Sequence, residues 1–283
     1  MIILFGNTTT LVTIARVRSL QTKSNAFLAS LAAADIMVGL VLIPYGLWLV
    51  PDIRDQFDQA VAMCILIISA GSSAIVVSIL NMLMVALDRL IYISHPFLYQ
   101  RVVTNQVTGV AVILPWAIGL SFGNCQWFIY TPKTSPPQCV ANKMLPKSYY
   151  KYAATLCYFI PCLAIFIIYI KIAWIARRQG LAIKKMNAVR PFHDNFDPAK
   201  MMMTVFGVFF ISWTPRFVIH AVPDDVLNTY VPELVYNLAM MLGLLNSGVN
   251  FLIYPLHNKQ FQRVFKQIFC FWSKSQQWRK QYP

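Results

Sequence analysis

Long apolar blocks, punctuated by short charged segments, recur along the chain at 1–16, 25–50, 60–93, 103–128, 148–178, 197–221 and 232–255. All but the first approach or exceed the roughly 20 residues that cross a hydrocarbon core. Only 12% of the residues are charged and 58% are hydrophobic, against about 25% charged in a soluble domain. So little polar surface cannot cover a water-facing globule of 283 residues, and the bilayer becomes the natural solvent. Within lipid, backbone groups must be satisfied inside the segment or in a closed barrel. No strand-like alternation recurs, so an all-α membrane bundle of seven helices is expected.

The first block is too short to cross alone and is already apolar at Met1, so its outer half is expected to precede this sequence. It has no basic stretch and no small-residue cleavage site, and no secretory leader is expected. The blocks at 60–93 and 148–178 exceed a simple crossing, which predicts tilt or extension beyond the membrane.

Basic residues set the topology. Eighteen of the 24 Lys and Arg fall in one set of loops and the tail, among them Arg16, Arg18, Lys23, Arg177, Arg178, Lys184, Lys185 and Lys259. The opposite loops hold Asp52, Asp55, Asp58, Asp224, Asp225 and Glu233, six of the ten acids. By the positive-inside rule the amino end is outside and the tail cytoplasmic, which places a multi-pass protein in the plasma membrane. The same asymmetry accounts for the net charge of +14 without a nucleic-acid partner. Residues 1–256 then form the bundle, and 257–283 a cytoplasmic helix and tail. In that tail Phe261, Phe265, Ile268, Phe269 and Trp272 alternate at helical spacing with Lys259, Arg263 and Lys266. This is the pattern of a short amphipathic helix lying against membrane lipids. Cys270 at its end is either an S-palmitoylation site or a plain buried thiol.

Two polar residues sit where lipid solvation makes them costly. Asp35 lies mid-block, and its candidate partners on other blocks are Ser78, Asn246, Ser247 and Asn250. One carboxylate among hydroxyls and amides suits a small hard cation such as Na⁺; it equally suits a protonated carboxyl in a hydrogen-bond network. Arg216 lies deep in the sixth block, with Glu233 the nearest acid in sequence. It needs a counter-ion from an anionic ligand or from the protein itself. Tyr45, Ser72, Ile75, Tyr150, Phe217, His220, Tyr236 and Met240 are candidates to line the same cavity. No CxxC or zinc-spaced His/Cys cluster is present. Asn7-Thr8-Thr9 matches a glycosylation sequon but lies inside a block, and is set aside.

Particular residues resemble the rhodopsin-like family of G-protein-coupled receptors. They are Gly6-Asn7, Leu31-Ala32-Ala33-Ala34-Asp35, Asp88-Arg89-Leu90, Trp116, Pro161 with Tyr169, Phe209-Ile211-Ser212-Trp213-Thr214-Pro215, and Asn250-Phe251-Leu252-Ile253-Tyr254. They touch all seven blocks in order. The resemblance implies a sodium pocket at Asp35, Ser78, Asn246, Ser247 and Asn250, with Trp213 beside it. It implies that Arg89 contacts a heterotrimeric G protein and that Asp88 restrains it, the alternative being a purely structural salt pair. Tyr169 and Tyr254 would swing toward that arginine on activation; Phe209 and Trp213 would form the packing switch, with Pro215 as hinge. The resemblance also implies a Cys64–Cys139 disulfide, with Cys125 the competing partner; Cys157 and Cys162 read as core thiols.

The chain departs from the family at Leu90, in place of a tyrosine, at Ser212, in place of a cysteine, and at Phe251, where the motif usually has proline. Asn195 stands near where some members carry an acid that latches the arginine, with Asp194 and Asp197 as substitutes in another register. Gly71 occupies the position of the ammonium-binding aspartate of amine receptors, which argues against a monoamine. Leu244 replaces the retinal-bearing lysine of opsins, so no Schiff base can form. The expected function is therefore transduction of an extracellular ligand, anionic or peptidic, to a G protein, with no covalent catalysis. The alternatives are a non-signalling scavenger receptor on the same fold, or a channel or transporter, for which neither internal repeats nor a path of charges is present.

Overall fold

The computed structural model describes residues 1–48, 50–131, 139, 141–146, 148–185, 197–222, 233–257 and 261–262. Among them every regular element is helical. Helix α1 (Ile2–Arg16) leads through a short 3₁₀ turn to α2 (Lys23–Trp48), α3 (Pro51–Gln59) and α4 (Val61–Ser94). Then come α5 (Pro96–Val102), α6 (Asn105–Asn124), α7 (Gln126–Ile129), α8 (Ala141–Met144), a π-helical turn (Tyr149–Ala154) and α9 (Thr155–Lys185). Helices α10 (Asp197–Ala221), α11 (Glu233–Asn246) and α12 (Asn250–His257) complete the bundle. Prolines at the first turns of α3 and α5 start those helices where a missing N–H costs nothing. Thr104 caps α6 by accepting from the Val107 N–H at 3.2 Å.

Five helices or helix runs are long and apolar enough to cross a membrane, and α11 with α12 forms a sixth, bent by 42°. Helix α1, 15 residues long, spans about 22 Å at 1.5 Å per residue, short of a hydrocarbon core of about 30 Å. The seven segments lie close to the seven apolar blocks of the sequence. Ile113, Ile160, Leu163, Ile170 and Ile211 all point outward and exposed. That surface would be a fault in water but fits a lipid-facing belt. The interfacial tail helix and Cys270 lie outside the described residues, apart from Phe261 and Gln262. Phe261 is fully buried, its ring 5.9 Å from that of Tyr254.

Helix α4 is the axis of the bundle, packing against α2, α6, α9 and α10. Its contact with α6 depends on small residues. A β-carbon at Gly119 would sit 3.0 Å from the Ser73 carbonyl oxygen, and one at Gly123 would overlap the Ser73 hydroxyl. Between membrane helices, packing supplies what the hydrophobic effect cannot, so such close approach is what holds the pair. Trp116 adds a hydrogen bond from its indole N–H to Ser30 Oγ at 2.8 Å, tying α6 to α2. At one end of the bundle the Cys64–Cys139 disulfide, with Cα atoms 5.4 Å apart, fastens the start of α4 to the segment after α7. Cys125 is free, as are Cys157 and the buried Cys162.

Gly123→Val should lower the thermal unfolding temperature of the detergent-purified protein, at a cost of about 1–3 kcal/mol or more from overpacking. On the same helix Gly109 faces open space, and Gly109→Ala should stabilise by about 0.4–1 kcal/mol through helix propensity and unfolded-state entropy. Equal effects at the two sites would contradict the packing described.

Candidate functional site

Three sites are strung along α4. Nearest the disulfide lies a cavity of about 530 Å³. Tyr45, Gly71, Ser72, Ile75, Arg216, Phe217, His220, Tyr236 and Met240 all line it, brought together from four helices. The Tyr150 side chain lies outside the described residues. Arg216 is 7% exposed and stacks on Tyr236, its guanidinium carbon 3.7 Å from the ring centroid. Its Nη1 and the Tyr236 hydroxyl are both buried without a hydrogen-bond partner among the described residues. His220 stands one turn further out, edge-on to Tyr236 with centroids 5.9 Å apart. The Glu233 side chain, the counter-ion considered from sequence, lies outside the described residues.

Several wall residues were not legible as such. Tyr158 on α9 is stacked against Phe217 at 4.1 Å, and its hydroxyl lies 2.9 Å from Thr214 Oγ1 and donates to the Phe210 carbonyl at 3.1 Å. Aromatics at helical spacing read as packing, and Tyr158 is also packing; nothing in its sequence context separates the two roles. Trp48, Arg54 and Phe57 form part of the rim. There Asp58 Oδ1 accepts from the Trp48 indole at 3.0 Å and from the Cys139 N–H at 2.7 Å. This carboxylate thus holds the backbone of Cys139, which the disulfide anchors.

Beneath the cavity floor, Trp213 meets Phe209 at 6.4 Å between ring centroids. A β-carbon at Gly243 would come within 2.6 Å of its indole, so only glycine lets α11 approach α10 at this level. Pro215 lies inside α10 two residues further on and removes one rung of the helical ladder. Below sits a polar core. Asp35 is 1% exposed, and Asn250 Nδ2 donates to its Oδ2 at 2.9 Å; Ser247 adjoins the same carboxyl. Ser78 and Asn246 are buried as well. The side-chain oxygens of Asn246 and Asn250 have no donor.

The seventh segment breaks between Asn246 and Asn250, although Phe251 stands in place of proline. The Ser247 carbonyl exposed by the break accepts from Asn7 Nδ2 on α1 at 3.0 Å. Gly6, next to it, leaves room for the Phe251 ring, which a β-carbon there would overlap. Asn7 is therefore a buried structural amide, in keeping with setting its sequon aside.

At the far end Asp88 and Arg89 form an ion pair at 2.5 Å, with a second bond from Nε at 3.0 Å. The Tyr99 hydroxyl on α5 donates to the other Asp88 oxygen at 2.8 Å, and the Arg89 guanidinium lies 5.2 Å from the Tyr92 ring centroid. Burial first, and then the bond to Asp88, push the Tyr99 phenol up to about 12, so it remains a donor throughout the physiological range. Tyr169 and Tyr254 are buried, the Tyr254 hydroxyl without a partner. Asp194 and Asn195 and the Asp197 side chain lie outside the described residues. Tyr99 was not legible: a tyrosine eleven residues past an aspartate meets it only because α5 folds back.

The cavity and the ion pair are separated by about 24 Å of one helix, with the polar core between them. This bundle of apolar helices thus has a pocket at one end and a closed charge pair at the other, a layout in keeping with the receptor family that its sequence matches. Residues 6–254 match the seven-transmembrane receptor (rhodopsin family) profile, and the chain belongs to that family. Its relatives include the adenosine receptor A2b of Homo sapiens, 27% identical over 286 residues covering 93% of this chain and 85% of the relative. The melatonin receptor type 1B of Mus musculus is 28% identical over 272 residues, covering 93% and 73%. The trace amine-associated receptor 7b of Rattus norvegicus is 26% identical over 287 residues, covering 93% and 77%. These relatives are receptors, and the chain is a receptor of the same family, not an enzyme.

Removing the phenol by Tyr99→Phe should cost about 1.5–3 kcal/mol, the range for a hydrogen bond to a charged group. Combined with Asp88→Asn, the loss should fall short of the sum of the two single losses. Thermal unfolding of the four proteins measures both effects, and strict additivity would mean that the two side chains do not interact.

Proposed function

We propose that the protein resides in the plasma membrane, amino end outside, binds an extracellular ligand in the α4-side cavity and promotes nucleotide exchange on a heterotrimeric G protein at the Arg89 end. The single observation that carries this reading is the alignment of pocket, polar core and ion pair along α4. Trp213 lies between the first two, held against Gly243. A ligand that prefers one packing of α10 against α11 shifts the equilibrium at the other end only by its differential affinity for the two packings. In this reading Arg89 is the group offered to the G protein, and Asp88 and Tyr99 hold it back. Tyr169 and Tyr254 are the side chains that would replace them. The orientation rests on the distribution of Lys and Arg.

The polar core fits Na⁺. Asp35 supplies one carboxylate, and Asn246 and Asn250 supply buried oxygens without donors, which is the hard donor set a small monovalent cation takes. Ser78 and Ser247 would complete it. A bound cation would neutralise Asp35 and favour the packing in which these residues remain together.

The relatives are named for adenosine, melatonin and trace amines. An amine needs an acid, and no Asp or Glu is among the described residues lining the cavity, where Gly71 lies. Leu244, at the place of a retinal-bearing lysine, also lines it. The guanidiniums of Arg54 and Arg216 favour an anionic or peptidic ligand.

Arg89→Ala should abolish agonist-stimulated nucleotide exchange while leaving surface expression intact. Unchanged coupling would remove Arg89 from the role given to it. In a separate measurement, replacing choline by Na⁺ should raise the unfolding temperature of the wild-type protein, and Asp35→Asn should eliminate that rise. A Na⁺ effect that survives Asp35→Asn would locate the cation elsewhere.

A further inference from the structure

The cavity contains a cation with hydrogen-bonding capacity left over. Arg216 is 7% exposed, and its Nη1 reaches no acceptor among the described residues. The Tyr236 face beneath it offsets only part of what desolvating an ion costs. Among the described residues, the ionisable groups facing the guanidinium are Tyr45, Tyr236 and His220, none of which carries negative charge at neutral pH. Among the described residues, no anion stands in this environment.

Resting on the receptor reading above, we infer that the ligand is a monocarboxylate that enters charge-first. Its carboxylate sits on Arg216 Nη1 with the Tyr236 hydroxyl as second donor, and an aryl or alkyl body runs past Phe217 and Ile75 toward Tyr45. A single charge follows from the second guanidinium on the lining, Arg54. That side chain is exposed and lies over the Trp48 ring at 4.8 Å, at the rim rather than at depth. A volume of about 530 Å³ admits a small acid or the end of a chain, and it is lined mostly by apolar side chains, as ligand pockets are. The carboxylate is therefore that of a free acid or of a peptide carboxyl terminus.

The full-length protein in lipid nanodiscs is titrated with hexanoate, hydrocinnamate and indoleacetate, each paired with its amide and its primary amine analogue. A Gly-Gly-Phe tripeptide is tested as free acid and as carboxyl-terminal amide. Thermal unfolding is the readout. At least one acid should raise the unfolding temperature where its amide and amine do not, and Arg216→Gln should weaken that acid at least about tenfold, the loss of one charge-assisted contact. A response to the small acids alone identifies a free acid as the source; a response to the tripeptide acid identifies a chain terminus. Without ligand, Arg216→Gln should unfold at no lower temperature than the wild type, because an incompletely paired buried charge has been removed. The inference is overturned if no acid acts, if amides or amines match the acids, if the acid effect survives Arg216→Gln, or if the ligand-free variant unfolds several degrees lower. Nucleotide exchange is followed in parallel: coupling without any acid response sinks the ligand class alone, and an acid response without coupling to any G protein sinks the receptor reading alone.

Discussion

The hydrogen bond from Asn250 to Asp35 is the constraint around which this bundle is arranged. In lipid a carboxyl cannot turn to solvent, so the helices that carry its partners must meet at one level. Helix α2 brings the carboxyl and α12 the amide. Helix α1 adds Asn7, which takes the Ser247 carbonyl. Three separate segments are thereby held in register by polar contacts that tolerate little sliding. The apolar contacts around them, such as Leu31, Val38 and Ile79, fill space without specifying it.

Two arginines buried to the same degree, Arg89 at 8% and Arg216 at 7% exposure, have opposite surroundings. Arg89 has a carboxylate on the adjacent residue, and that carboxylate is itself held by Tyr99. Arg216 has an aromatic face and an unused N–H. A paired, hydrogen-bonded charge can remain at rest, whereas an incompletely paired one makes the state that supplies its counter-ion more stable. In the proposed mechanism this difference sets the direction of signalling. The ligand end starts unsatisfied and gains on binding; the inner end starts satisfied and must give something up.

The spans and their order were legible because hydropathy reports on solvent, and here the solvent is lipid. Arg216, Phe217 and His220 were legible for a related reason: they lie within two turns of Trp213 and Pro215 on α10. What stayed hidden depends on tertiary approach. Tyr99 meets Asp88 only after α5 turns back, and Asp58 meets the Cys139 N–H across 81 residues of sequence. Glycine carries no periodic signal, so the close approaches at Gly119, Gly123 and Gly243 could not be distinguished from ordinary helical glycines such as Gly109. The Cys64–Cys139 pairing was supplied by the family resemblance rather than by spacing, with Cys125 the competing partner.

The break in the seventh segment shows how the same geometry can rest on different chemistry. A proline at position 251 would break the helix covalently, by lacking an N–H and by clashing with the preceding turn. Phe251 does neither. The break survives because Asn7 satisfies the Ser247 carbonyl from outside the helix, because Gly248 lies within the interrupted turn, and because Gly6 leaves the Phe251 ring space against α1. Each of these contacts is reversible, unlike a proline ring. The bend in this chain is therefore an equilibrium property of the α1–α12 contact, and its persistence depends on that contact rather than on the local backbone. Residues Asn250 and Tyr254 lie directly beyond it, so whatever loosens Asn7 from Ser247 also loosens the amide that holds Asp35.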